Sequence, residues 1–151
     1  MFESAVEFNF CLNPKLFKNL NSNEIICDTL ESVLKLNTNK IILLEIKDPF
    51  IDIDNLVNIL TKYKSKNIYV MSFYNTVIDK LNIKNKTYKV GILNYVLNTT
   101  EKHFKYDFIC ILRHFLNDKI IEFVKKNNKE LFVYGNYNNN FKYDFPFYIV
   151  D

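Results

Sequence analysis

The fold is decided by DTLESVL at positions 28–34 followed by IILLEIKDP at positions 41–49. The first segment has the spacing of a capped helix, and the second is an apolar run of strand length that ends in opposite charges. Glu45 and Lys47 are two residues apart, so their side chains project to the same side of the predicted strand. A carboxylate and an ammonium beside buried Ile and Leu are costly unless they pair or bind a ligand. This strand end is therefore a candidate site.

Short apolar runs recur along the chain, with helical patterns between several of them, and such runs are typical of buried parallel strands. The predicted strands are 5–10, 41–46, 68–73, 90–93, 108–112, 131–134 and 147–150. The predicted helices are 29–36, 55–63, 76–81 and 118–126, with Asp28, Asp54 and Asn117 at the N-cap positions. Repeated βα units favour a doubly wound sheet or a (β/α) barrel. No Gly-rich turn follows the first strand, so a dinucleotide-binding fold lacks its phosphate loop.

Length and composition predict one domain over residues 1–151, with 48% apolar residues to form its core. The formal net charge of +3 is too small to indicate a nucleic-acid partner, and Arg113 is the only Arg. Three widely spaced cysteines indicate free thiols in a reducing compartment. No apolar run approaches the roughly 18 residues of a membrane span, and the N-terminus lacks a signal-peptide pattern. We expect a cytoplasmic protein with no membrane span and no bound nucleic acid.

The order and spacing of these segments resemble the glycerophosphodiester phosphodiesterase family, phosphoric diester hydrolases of lipid metabolism with a phosphatidylinositol-phospholipase-C-like TIM barrel. In that family a helix of the form P-T-L-E-E-V-L precedes an I-E-I-K strand, as residues 28–34 precede LEIK at 44–47 here. The other matching strand ends are VMSF at 70–73, VGIL at 90–93, VYGN at 133–136 and YIVD at 148–151. The resemblance covers most of the chain and implies an α/β fold, an incomplete TIM-like (β/α) barrel.

The resemblance also implies a metal and phosphate site. The family's metal-binding E-x-D strand corresponds to Glu7 and Asn9, with Asn in place of the Asp, and Glu45 completes the implied set. Carboxylate and amide oxygens suit Mg²⁺ or Ca²⁺, although the missing charge lowers the expected affinity. Lys47 is the implied phosphate contact, acting as a point charge. The expected ligand is a glycerophosphodiester or a phosphate.

The sequence departs from the family where catalysis is concerned. The family's H-R-G strand and its later H-D motif have no counterpart here, so both expected catalytic histidines are missing. Because general acid–base catalysis typically contributes about 10²–10⁴-fold, the resemblance implies a catalytically impaired or inactive protein with a remnant site. Two alternatives remain open, namely an active metal-dependent glycerophosphodiester hydrolase and a non-catalytic interaction protein that uses the barrel as a scaffold.

The missing first strand and inserted subdomain also affect the architecture. Seven strands are predicted where a TIM barrel has eight, which leaves edges near Val6 and Ile149. Open edges favour distortion, direct closure of a seven-stranded barrel, or a homodimer formed through the edge.

Four further residues are predicted to have ordinary roles rather than roles in a site. Ser72 is interpreted as a small packing residue and Cys110 as part of the core, since reactive thiols need an accessible, electropositive setting. His103, in a loop, and His114, at a strand end, have no second ligand at metal-binding spacing. The aromatic residues among Asn and Lys at 134–143 are interpreted as a loop rather than a base-stacking surface.

Overall fold

The computed structural model describes residues 6–10, 29–36, 39–84, 87–97, 105–135, 143 and 147–149, with only the backbone described for 6–10. The strands are β1 (Val6–Phe10), β2 (Ile42–Ile46), β3 (Ile68–Ser72), β4 (Lys89–Asn94), β5 (Phe108–Leu112), β6 (Glu130–Tyr134) and β7 (Phe147–Tyr148). The helices are α1 (Leu30–Leu34), α2 (Ile53–Lys62), α3 (Asn75–Ile83) and α4 (Asp118–Lys126). The predicted strands and helices are confirmed within one to two residues at most ends, and His103 lies outside the described residues.

The seven strands form one parallel sheet in which spatial order follows sequence order from β1 to β7. A doubly wound fold reverses its strand order at a switch point, and the described strands have no such reversal. Because crossovers between parallel strands are right-handed, a constant order of this kind puts every connecting helix on the same face. The fold is therefore of the (β/α) barrel type, and β1 and β7 are the edges of the described sheet.

The sheet is strongly curled, as ring contacts across its inner face show. The ring centroids of Tyr69 on β3 and Phe132 on β6 are 5.3 Å apart. Three strand spacings in a flat sheet would separate these positions by about 14 Å. Lys89 on β4 likewise reaches Glu130 on β6 at 2.6 Å, across the intervening strand. The described chain thus forms an incomplete TIM-like barrel.

Two apolar layers hold the curled sheet. The outer layer joins alternate strand residues such as Val70 and Ile109 to buried residues of the four helices. The inner layer contains Tyr69, Phe108 and Phe132, all at most 2% exposed. Alternating strand residues therefore face two different apolar environments, which explains why the strands read as continuous apolar runs.

Ser72 and Cys110 have the packing roles predicted for them. Ser72 is fully buried, and its hydroxyl donates to the carbonyl oxygen of Ile46 at 2.6 Å and accepts from the Tyr74 N–H at 3.1 Å. Cys110 is buried in the inner layer. His114 lies in a 3₁₀ turn, 113–115, directly after β5, rather than at the strand end itself.

The prediction that Asp54 caps α2 is wrong. The cap is Asp52, whose side chain accepts a hydrogen bond from the Asn55 N–H at 3.0 Å, while Asp54 lies within the first turn and pairs with Lys84 at 2.7 Å. The helix begins earlier than predicted because Ile53 packs against the outer apolar layer. Asp52 and Asp54 are equally good N-cap residues by sequence, and the packing of Ile53 determines which of them caps the helix.

The caps of α1 and α4 can be compared in the same way. Thr29 caps α1 and accepts from the Ser32 N–H at 3.2 Å, in place of the predicted Asp28, which lies outside the described residues. The prediction for Asn117 is confirmed, since its side chain accepts from the Ile120 N–H at 3.1 Å.

Candidate functional site

The charged pair that ends β2 is the starting point of the site. Glu45 is the penultimate residue of β2 and Lys47 follows the strand directly. Their side chains lie on the same side, as predicted, with 3.7 Å between Lys47 Nζ and Glu45 Oε2. The Glu45 side chain is 11% exposed and that of Lys47 is 51% exposed. The carboxylate is therefore held near the barrel interior while the ammonium remains open to solvent.

Burial dominates the protonation equilibrium of Glu45. It raises the pKa of this carboxyl above its usual value, and the nearby Lys47 ammonium opposes the rise without cancelling it. The folded chain thus holds the Glu45 proton more tightly than the unfolded chain does. Ionisation of Glu45 at neutral pH consequently reduces the stability of the fold.

We expect Glu45→Gln to raise the Tm in metal-free buffer at pH 7–8, because the amide needs no ionisation in this partly buried position. A stability gain on the order of 1 kcal/mol corresponds to a rise of about 2–4 °C in a domain of this size. The stabilisation that the protonated Glu45 gives wild type is present below the unfolded-state pKa and is lost as pH rises through the folded-state pKa. The difference in Tm should therefore shrink as the pH is lowered to about 4, and thermal melts across this range test it. A lower Tm for Glu45→Gln at pH 7 would contradict the assignment.

The backbone register gives the placement of the other implied metal ligands. Asn9 pairs with Glu45 across the β1–β2 ladder, and Glu7 pairs with Leu43. The side chains of residues 6–10 lie outside the description, so the implied set Glu7, Asn9 and Glu45 stays a prediction. Within the residues that are described, no group of three His, Cys, Asp or Glu side chains is placed to hold a metal ion.

Tyr134 is the last residue of β6 and belongs to the same end of the barrel. The sequence grouped it with the aromatic residues at 134–143 and predicted no site role for it. Its hydroxyl is buried and has no hydrogen-bond partner among the residues that the structure describes. Burial raises its pKa to about 12, with smaller contributions from Cys110, Tyr95 and Glu45. The phenol thus keeps its proton at neutral pH and lies within electrostatic range of Glu45.

Two exposed aromatic residues lie at the same end of the barrel, each directly after one of two adjacent strands. Phe73 directly follows β3 and Tyr95 directly follows β4. Their ring centroids are 4.9 Å apart at an interplanar angle of 31°, and the residues are 38% and 62% exposed. Exposed ring pairs of this kind offer an apolar surface for a ligand. We call Glu45, Lys47, Phe73, Tyr95 and Tyr134 the mouth site.

Charged residues also meet at the opposite, amino-terminal end of the strands. Lys89 Nζ donates to the Tyr69 hydroxyl and to Glu130 Oε1, both at 2.6 Å. The cluster borders an open cavity of about 420 Å³ that Asp107 and Phe147 also line. In barrels of this type the amino-terminal face serves stability, so we interpret this cluster as structural.

Comparisons with known proteins bear on the fold. No family model matches the chain, and no curated protein matches it by sequence. Among solved structures, the chain is similar to "a putative glycerophosphodiester phosphodiesterase from Galdieria sulphuraria" with a TM-score of 0.60 and 14% sequence identity. The two chains share a fold. The superposition covers 87% of this chain and 71% of the other. It confirms the incomplete TIM-like barrel and the predicted resemblance in fold to glycerophosphodiester phosphodiesterases.

The sequence predicts no membrane span. None of the helices that the structure describes is both long enough and apolar enough to cross a bilayer.

Proposed function

We propose that this chain is a glycerophosphodiester phosphodiesterase-like protein, catalytically impaired or inactive, that binds a phosphate-containing ligand at the mouth site. The observation that carries the proposal is the position of Glu45 and Lys47 at the carboxyl end of β2. In characterised barrels of this type, ligands bind at the carboxyl ends of the strands. The protein from Galdieria sulphuraria shares this fold, and its name as a glycerophosphodiester phosphodiesterase supports the choice of a phosphate-containing ligand.

Lys47 is suited to meet the phosphate. Its side chain is 51% exposed, and its ammonium is 3.7 Å from the Glu45 carboxylate, which is a loose contact rather than a short, directed hydrogen bond. A lysine on a flexible side chain can turn from this partner toward an incoming phosphate at little cost. Glu45 then keeps the ammonium close to the mouth when no ligand is bound.

A hard cation is a second ligand of the same site. Glu45 supplies one carboxylate, and the register brings Asn9 alongside it with Glu7 two residues earlier. Oxygen donors of these types accept Mg²⁺ or Ca²⁺, but Lys47 competes with a cation for the Glu45 carboxylate. We therefore propose weak binding of Mg²⁺ or Ca²⁺ through Glu7, Asn9 and Glu45.

Ligand binding by the Lys47→Met variant tests the proposal. We expect wild type to bind sn-glycero-3-phosphocholine or glycerol 3-phosphate in a calorimetric titration. The variant should lose about 10-fold or more in affinity, the effect of losing a hydrogen bond to a charged group. Lys64→Met is the matched control, since Lys64 lies in the turn that precedes β3, away from the mouth. Equal losses in both variants, or no binding by wild type, would contradict the proposal and favour the scaffold interpretation.

Turnover separates the impaired protein from the active alternative. We expect no metal-dependent release of glycerol 3-phosphate from glycerophosphodiesters in Mg²⁺ or Ca²⁺. Release that is abolished by Glu45→Ala would instead establish an active hydrolase at this site.

A further inference from the structure

We propose that the carboxyl end of the barrel is a membrane-contact surface, at which exposed hydrophobic side chains enter the interfacial layer of a phospholipid bilayer. The surface consists of the large hydrophobic residues that follow β2 to β5 and are exposed, and we call it the hydrophobic rim. Its residues are Phe50, Phe73, Tyr74, Tyr95, Val96 and Phe115. The inference goes beyond the proposed function, because it requires no ligand in the mouth site.

Exposed hydrophobic side chains are concentrated at one end of the molecule. Eight large hydrophobic residues are exposed among the described residues, and six of them form the hydrophobic rim. Because the strands are parallel and lie in sequence order, the four loops that carry these six residues are neighbours at the carboxyl end. The rings of Phe73 and Tyr95, which also belong to the mouth site, join two of the loops at 4.9 Å. The other two exposed residues, Leu36 and Ile83, lie at the ends of α1 and α3 that return to the amino-terminal side.

Phe50 is the most exposed residue of the rim, and its turn holds it in that position. The Phe50 N–H donates to Asp48 Oδ1 at 2.8 Å, and Asp52 caps the helix that follows. The residue is 92% exposed, so its ring contributes almost nothing to the core of the fold. The free energy of burying this ring is therefore available to a partner, and a group of such residues marks an interaction surface.

The form of the rim fits a bilayer better than a protein partner. Its side chains come from four separate loops, and a protein partner would need a matching pocket for each, because protein interfaces pack as densely as protein interiors. The interfacial layer of a bilayer accepts such side chains without a matching shape. Tyr74 and Tyr95 combine an apolar ring with a polar hydroxyl, and this combination is enriched at membrane interfaces.

Charges determine which kind of bilayer surface the rim fits. The described loop residues between β2 to β5 and the helices after them carry Lys47 and Arg113 against Asp48 and Asp52, so their formal charges cancel. Such a surface suits a zwitterionic bilayer, where burial of apolar surface supplies the attraction. The amino-terminal end of the barrel instead has a cavity lined by charged residues, which are costly to move into an apolar layer.

Tryptophan fluorescence tests this surface directly, because the chain contains no Trp. Phe50→Trp places a reporter on the rim. Ile83→Trp is the matched control, since Ile83 is 82% exposed and lies at the opposite end. On addition of phosphatidylcholine vesicles, we expect the emission of Phe50→Trp to shift to shorter wavelength and that of Ile83→Trp to stay unchanged. Equal shifts in both variants, or no shift in either, would overturn the inference.

Co-sedimentation with the same vesicles measures the affinity. Phe50→Ser should weaken vesicle binding by about 10-fold or more, because it removes the burial of a large apolar side chain. Ile83→Ser should bind like wild type. Binding should persist in about 1 M NaCl, where charges act over only about 3 Å.

A further variant separates this inference from the proposed function. Lys47→Met removes the proposed phosphate contact and should leave vesicle binding nearly unchanged. Loss of vesicle binding in Lys47→Met but not in Phe50→Ser would show that headgroup recognition holds the bilayer, and would overturn the role of the rim. Absence of vesicle binding by wild type would also overturn it, leaving a protein as the partner of these residues and the phosphate site of the proposed function unaffected.

Discussion

Replacing Phe132 by Ala is expected to lower the free energy of unfolding by about 3–5 kcal/mol. The Phe132 ring is fully buried on the inner face of the barrel. It contacts the rings of Tyr69, Phe108 and Phe147 at centroid distances of 5.3, 5.1 and 4.9 Å. These partners come from three different strands, so no single side chain can move to fill the cavity that the substitution leaves.

Urea denaturation of wild type and Phe132→Ala measures this loss. Phe50→Ala is the matched control, because Phe50 is 92% exposed and its removal should change stability by no more than about 0.5 kcal/mol. A loss below about 1 kcal/mol in Phe132→Ala would mean that the inner layer is not packed around this ring.

Adding a single methyl group at Gly91 is expected to destabilise the chain by about 1–3 kcal/mol through overpacking. Gly91 pairs with Phe108 across the β4–β5 ladder. A Cβ atom at this position would overlap the ring of Phe108, which is itself fully buried. The ring has no free direction to move in, because Tyr69 and Phe132 lie against it at 5.3 and 5.1 Å.

The double variant Gly91→Ala with Phe108→Leu provides the control for this effect. If the clash with the ring is the cause, the two substitutions should be less destabilising together than the sum of their separate effects, by about 0.5–3 kcal/mol. Chemical denaturation of the four chains gives the coupling energy. Strict additivity would show that the added methyl acts on something other than Phe108.

Sequence patterns predicted the strands well because these strands are buried on both faces and read as apolar runs. They failed at the amino-terminal ends of β4 and β6, where the polar residues Lys89 and Glu130 point into the barrel and bond to each other. The predicted strands began one residue later, at 90 and 131, whereas pairing across the interior makes Lys89 and Glu130 part of the strands. The N-cap of α2 was misplaced for a comparable reason, since packing of Ile53 fixes where the helix begins.

The candidate site was predictable only in part. The two-residue spacing of Glu45 and Lys47 predicted that they share a side, and the structure confirms it. Phe73, Tyr95 and Tyr134 come from three separate strand ends, and the curl of the sheet is what brings Tyr95, after β4, within electrostatic range of Tyr134 on β6. A sequence signal for Tyr134 was available in the two-residue periodicity of β6. Glu130, Phe132 and Tyr134 are alternate residues of this strand, so their side chains project to the same, inner side of the barrel.

The strict sequence order of the strands has a consequence for how the chain is made. A ribosome releases the amino-terminal part first, and each new strand finds its hydrogen-bonding neighbour already synthesised. The sheet can therefore grow vectorially, one βα unit at a time. The aromatic core on the inner face forms later than the first strand pairs, because Tyr69 on β3 can contact Phe132 only after β6 has been synthesised. Until then the nascent barrel presents an apolar concave surface, the kind of surface that chaperones recognise during translation.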